Sequence, residues 1–267
     1  MKEPIPLGFP ELFLASLLLL LNGLISLRLG LGLGRRLVVA ALRTVVQLLL
    51  LGYVLLPVFA LRHPLPVAVL GVGMIVLAGF EATKRTGTSF KGMRASAILA
   101  MLVAAGTTTL FATTIVLRAH PWWHPQYLVP LLGMILGNGL NGVSLGFERC
   151  LNRLKEGRAE VEFLLAMGAT QWEASRGIAA EALRTGMTPI LNAMSVVGLI
   201  TIPGMMTGQL LAGAPPQQAA RYQILIMFLI AGAVAMGTTI AVWLSIRRLF
   251  DDQHRLRLER LEDRGGA

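Results

Sequence analysis

Polar side chains that could handle a solute occur at only a few places in the apolar stretches of this chain. Arg43 and Gln47 stand four residues apart, on one face of a helix. Glu81 lies near the end of the next apolar stretch, at a depth that Arg43 could reach. An ionisable group inside a bilayer costs about 3 kcal/mol on insertion scales. Each such residue is therefore a candidate gate or substrate contact. The preferred alternative is an ion pair locking two helices, or a side chain snorkelling to the surface. Asn138, Asn141, Ser144 and Glu148 fall within an arc of about 120° at helical spacing. That stripe either lines a pathway or hydrogen-bonds between helices, because the Gly133/Gly137 and Gly142/Gly146 pairs are signals of close packing.

A third group runs from Thr201 to Thr207. Pro203 lacks an N–H and Gly204 loosens the next turn, so a broken helix with exposed carbonyls is expected there. Met205 and Met206 add thioethers, which suit soft ions such as Cu(I) better than ferrous iron. Packing is the default reading for these methionines, and no metal ligand set is assigned. His124, between Pro121 and Pro125, reads as a solvated loop histidine beside an aromatic anchor made by Trp122, Trp123 and Tyr127.

The elements that must position these groups are apolar runs. The 267 residues are 55% hydrophobic and only 14% charged. Seven candidate spans follow, at about 8–29, 37–60, 65–83, 95–118, 127–148, 187–210 and 222–246. Spanning segments must satisfy their own backbone, so these are expected helices of an all-α polytopic membrane protein. Lys2, Glu3 and Glu11, with no small-residue cleavage site, make the first run an expected retained span rather than a signal peptide. Nineteen lysines and arginines fall in one alternating set of breaks and four in the other. The positive-inside rule then puts the N-terminus outside and the C-terminus in the cytoplasm. The net charge of +10 belongs to that asymmetry, and nucleic acid is not an expected partner. The charged tail after Arg247 is expected to form a surface helix.

One cytoplasmic segment, about 150–186, is long. Val161, Leu164, Leu165, Gly168 and Trp172 share one helical face. Gly168 suits a helix-ending left-handed turn. Thr170 and Glu173 form a capping box. The segment therefore predicts a helix, a glycine turn and a second helix. It is either a stiff lever for a partner's motion or an amphipathic helix resting on lipid. The chain has no GxxxxGK[ST] phosphate loop and no HExxH, so ATP chemistry is expected on another chain.

Glu162, Gly168 and Ile178 resemble, in spacing, the EAA loop of ABC importer permeases, with Phe163 and Leu164 in place of two alanines. A longer resemblance runs through PLLGMILGNGLNGVSLGFE at 130–148, LAMGAT at 165–170, GLITIPGMMTGQ at 198–209 and RYQILIMF at 221–228. These strings are similar to the Fet-type iron-export permease family, which includes plant aluminium-tolerance permeases. The resemblance implies a single permease domain over 1–267 in the plasma (inner) membrane. It implies a homodimer working with separate ABC ATPase subunits that hold ATP and Mg. Glu162, Gly168, Ala169, Thr170 and Trp172 would couple to the ATPase. Arg43, Gln47, Glu81, Asn138, Asn141, Glu148, Pro203, Met205 and Met206 would line or gate a route for an exported metal ion. Seven spans with an outside N-terminus also fit a receptor or a carrier not coupled to ATP.

Overall fold

The computed structural model describes residues 8–30, 32–61 and 63–263. Lys2 and Glu3 lie outside them. Helices dominate, and six are long and apolar enough to cross a membrane among the described residues. The chain is a multi-pass membrane protein.

Two units are distinguished. The first holds α1 (Phe9–Arg28) and α2 (Gly34–Leu61), which pack on each other. Their apolar side chains are exposed almost all round, as a surface bathed in lipid requires. The second unit holds α3 (Pro64–Lys84), α4 (Met93–Phe111), α5 (Pro125–Glu156), α6 (Arg158–Ala166), α7 (Gln171–Val196), α8 (Gly204–Leu211) up to Leu210, and α9 (Pro216–Leu249). Prolines open α3, α5 and α9 in their first turn, where a missing N–H costs nothing. The end of α4 widens into a π turn over Ala112–Val116. The core lies where α5, α7 and α9 meet, with α4 against α9 and α3 against α4. Phe147, Leu151, Val234 and Leu249 are fully buried there.

A short antiparallel ribbon fixes which helix ends share a face. Strand β1 (Thr88–Phe90) follows α3, and β2 (Leu261–Asp263) follows α9. Thr88 pairs with Asp263 and Phe90 with Leu261. The Phe90 ring also meets Phe147 of α5 edge-on, 6.3 Å between centroids. The later parts of α5 and α9 therefore lie at the same end of the bundle. Helix α7 runs antiparallel to α5, with Glu181 beside Arg149 and Arg153 and Gly186 beside Gly142.

Two expectations are corrected here. The run at 187–210 is not one helix. Its first part belongs to α7, which begins at Gln171 and ends at Val196. The chain then leaves the helix until Gly204. Gly198 adopts a left-handed φ of 82°, and its N–H donates to the carbonyl of Thr201 at 2.9 Å. Pro203 thus sits at the far edge of a seven-residue break (197–203), not inside a kinked span. The tail is not a surface helix either. Asp251 accepts from the backbone N–H of Gln253 and Arg255 and from both arginine side chains, Arg255 and Arg257. Those bonds fold the tail back so that β2 reaches β1. Burial pushes the Asp251 carboxyl upward. The hydrogen bonds from Arg255 and Arg257 outweigh it and hold the group well below the usual carboxylate range.

Candidate functional site

The turn between α6 and α7 is built as the sequence predicts. Gly168 has φ +93°. Its N–H donates to Leu165, and the next N–H, of Ala169, donates to Leu164, both at 3.0 Å. This pair of bonds closes α6 in a left-handed glycine cap. The Thr170 hydroxyl then accepts from the N–H of Glu173 at 3.3 Å, and Glu173 accepts from the N–H of Thr170 at 2.8 Å. The same two groups of Thr170, backbone first and hydroxyl second, hold the Glu173 carboxyl below its ordinary value. Both helix ends are therefore satisfied within six residues, 165–170, and the turn has no slack.

Its surfaces differ sharply. Val161 is buried, and Leu164, Leu165 and Ala169 pack on the core. Phe163, Met167 and Trp172 are 64%, 74% and 47% exposed. The predicted single face thus breaks at the turn, because Trp172 belongs to α7 and points elsewhere. Glu162 accepts from Arg158 one turn earlier at 2.7 Å.

A residue the sequence reading passed over ties this element to the bundle. Glu181 of α7 accepts from Arg149 Nε at 2.9 Å and from Arg153 Nε at 2.8 Å, both on α5. A second Arg149 nitrogen, Nη2, donates to the same oxygen, Oε1, while Arg153 takes Oε2, so the two arginines divide the carboxylate between them. The available signal was that Glu181 is the sole carboxylate between 174 and 250, while Arg149 and Arg153 are four apart. Deeper in, the two helices touch backbone to backbone. A Cβ on Gly142 would meet Val234 at 2.6 Å, and one on Gly186 would meet the Gly142 carbonyl at 2.7 Å. Thr238 of α9 fills the third side, its hydroxyl buried and unpartnered. Gly146 meets the same threonine, at 2.6 Å. Of the two glycine pairs, Gly142/Gly146 packs tightly, whereas Gly137 has open space beside it.

The polar stripe of α5 divides. Ser144 is buried. Asn138 is half-buried and donates to its own helix, at the Met134 carbonyl. Asn141 is exposed and accepts from Arg85, the residue capping α3, at 2.6 Å. Pro130, Gly137 and Asn141 are exposed, and Met134, Leu145 and Glu148 are half-exposed. They form one open face. Glu81 accepts from Lys84 at 2.7 Å. Arg43 and Gln47 are exposed on α2, in the first unit. Met205 and Met206 are half-buried, and Met205 packs on the core. His124 Nδ1 is buried without a partner, and its ring tilts against Tyr127. Among the described residues, no three His, Cys, Asp or Glu side chains cluster as a metal site would need.

These elements define a polytopic helical membrane protein whose α6–α7 turn is continuous with a core helix. The chain belongs to the uncharacterised protein family UPF0014, which matches residues 9–250. A UPF0014 membrane protein of Synechocystis is 37% identical over 225 residues, covering 84% of this chain and 86% of that one. The probable iron export permease protein FetB of Escherichia coli is 28% identical, over 94% and 96% of the two chains. Protein ALUMINUM SENSITIVE 3 of Arabidopsis thaliana is 27% identical, over 91% and 87%. No solved structure matches.

Proposed function

We propose that this chain is the permease subunit of an ATP-binding cassette exporter that moves metal ions, iron among them, out of the cytoplasm. The observation that carries the reading is the α6–α7 turn. It is stiff and capped, and it presents the exposed Phe163 and Met167 to a partner. Its second helix runs on, clamped by Glu181, into the core. A nucleotide-binding subunit closing on ATP would push this turn and move α7 against α5. The name of FetB supports the cargo. The open α5 face supports a homodimer, because Asn141 and Glu148 are costly to leave against lipid. Two such faces would enclose a route containing Asn138, Asn141 and Glu148.

The shared end of α5 and α9 supports counting α7 as a seventh crossing. Its 26 residues span about 39 Å, more than the ~30 Å hydrocarbon core. The charge asymmetry supports a cytoplasmic turn and C-terminus.

Reconstitution with the ATPase subunit in inverted vesicles tests this reading across a series of metal ions. ATP-dependent uptake is expected. Gly168→Pro and Glu162→Lys should each abolish permease-stimulated ATP hydrolysis while the protein still inserts. Normal stimulation in both variants removes the coupling assignment. Failure of any nucleotide-binding subunit to co-purify would favour a receptor or an uncoupled carrier.

A further inference from the structure

Arg247 lines two cavities at once. One, of about 450 Å³, is lined by the arginines 247, 248 and 260 together with Leu244 and Phe250. The other, of about 320 Å³, is lined by Trp172, Trp243, Ile246 and Gln171. The first is the charged one. Asp251 and Asp252 also border it. Asp251, however, is already engaged by Arg255 at 2.9 Å and Arg257 at 2.8 Å. Three guanidinium groups therefore face a single uncommitted carboxylate, Asp252. Arg260 is not there by chain proximity. The folded tail delivers it, and its Nη1 donates to the Arg248 carbonyl at 2.7 Å.

The second cavity is apolar. The Arg247 guanidinium lies 5.4 Å from the centre of the Trp243 ring, so one side chain marks the border between the charged and the apolar space. Both cavities sit where α9 leaves its apolar run, the level at which tryptophan and arginine meet headgroups.

We propose that the two cavities together hold one anionic phospholipid. Its phosphate lies among Arg247, Arg248 and Arg260, and an acyl chain lies against Trp172, Trp243 and Ile246. A free phosphate ion would use only the first cavity. Trp172 stands in the first turn of α7, so an occupied site braces the α6–α7 turn. That last consequence rests on the coupling reading, whereas lipid binding does not.

The test uses the full purified chain in detergent, with retained lipid counted by native mass spectrometry. Phosphatidylglycerol should be retained at one molecule per chain, about tenfold more tightly than zwitterionic phosphatidylcholine. Arg247→Gln with Arg248→Gln should weaken retention roughly thirtyfold, and Arg176→Gln, a surface change on α7, should not. Trp243→Ala should weaken phosphatidylglycerol retention as well. Equal retention of the two lipids by the unaltered chain overturns the proposal, whether or not the variants fold. So does full displacement by millimolar inorganic phosphate with no effect of Trp243→Ala, which is the behaviour of a free-anion pocket. Loss of lipid-dependent ATPase stimulation with intact lipid retention would remove only the coupling reading.

Discussion

The contact between Gly142 and Gly186 allows two alanine substitutions on the same helix to be set against each other. A Cβ on Gly186 would lie 2.7 Å from the Gly142 carbonyl oxygen and 2.7 Å from the Thr238 methyl carbon. Ordinary contact begins at 3.4 Å, so α5 and α7 would have to part by about 0.7 Å. The threonine could turn away, but a backbone oxygen cannot. Overpacking of this kind costs about 1–3 kcal/mol, and better helix propensity returns about 1 kcal/mol. The mid-range net loss is about 1 kcal/mol, so Gly186→Ala should lower the melting midpoint by roughly 2–4 °C. Gly177→Ala, nine residues earlier on α7, meets nothing within 4 Å and should be neutral or slightly stabilising. Gly146→Ala gives a third case. Its only close neighbour is the Thr238 methyl at 2.6 Å, with Val242 next at 3.5 Å. Adding Thr238→Ala should rescue Gly146→Ala and leave most of the Gly186→Ala loss in place. The single cysteine supplies the assay. Cys150 is fully buried, so a thiol-reactive fluorophore reports unfolding of the solubilised chain. A Gly186→Ala protein that melts with the wild type refutes the reasoning, as does full rescue by Thr238→Ala.

Three further outcomes are expected. Glu181→Gln should lower both the melting midpoint and ATPase stimulation, and adding Arg149→Gln should recover part of the midpoint by removing repulsion between two guanidinium groups. Simple additive losses would mean that the carboxylate does not bridge them. Met205→Leu with Met206→Leu should cost less than about 1.5 kcal/mol and leave transport nearly intact, because the swap conserves volume. Selective loss for one metal in the transport assay would instead make the thioethers ligands. The Asp251 carboxyl is depressed on folding, so its contribution is present above its ordinary value of 3.8 and is lost as pH falls through the folded value. Hydrogen-exchange protection at the Gln253 and Arg255 amides should hold from pH 8 to about pH 5 and fail only well below about pH 4. Loss of protection near neutrality would contradict that sign.

The turn was legible in the sequence because its determinants are local. Gly168, Thr170 and Glu173 act within a few residues of one another, and their types alone specify the cap. The apolar spans were legible for a similar reason, since lipid demands a composition. The course of α7 was not. Its first half carries Glu173, Arg176, Glu181 and Arg184, which read as a water-exposed helix. Glu181 is tolerated beside the core because Arg149 and Arg153 reach it from α5, a pairing across about thirty residues that periodicity cannot register. The tail misled for the opposite reason. Its alternating charges suggest i, i+4 pairs on a helix, but Asp251 gathers two arginines and two backbone donors and so ends the helix instead. The four polar residues of α5 do not share one environment: Ser144 is buried, Asn138 half-buried and Asn141 exposed. Asn141 answers to Arg85 on another helix, while Asn138 bonds to its own.

If the α6–α7 turn receives a partner's stroke, as proposed, the close approach of Gly142 and Gly186 would act as a fulcrum for α7 once the Glu181 clamp yields. From Gln171 to Gly186 is about 22 Å of helix, and from Gly186 to Val196 about 15 Å. A stroke applied beside Trp172 would therefore reappear at the far end in the opposite sense, scaled down to about two thirds. The far end opens into the non-helical stretch at 197–203, where Leu199 is 87% exposed. Pro189 lies three residues beyond the fulcrum, on the short arm, where a missing hydrogen bond lets the arm flex. Under that proposal, a push at the α6–α7 turn would swing the 197–203 stretch the opposite way, with no second moving part.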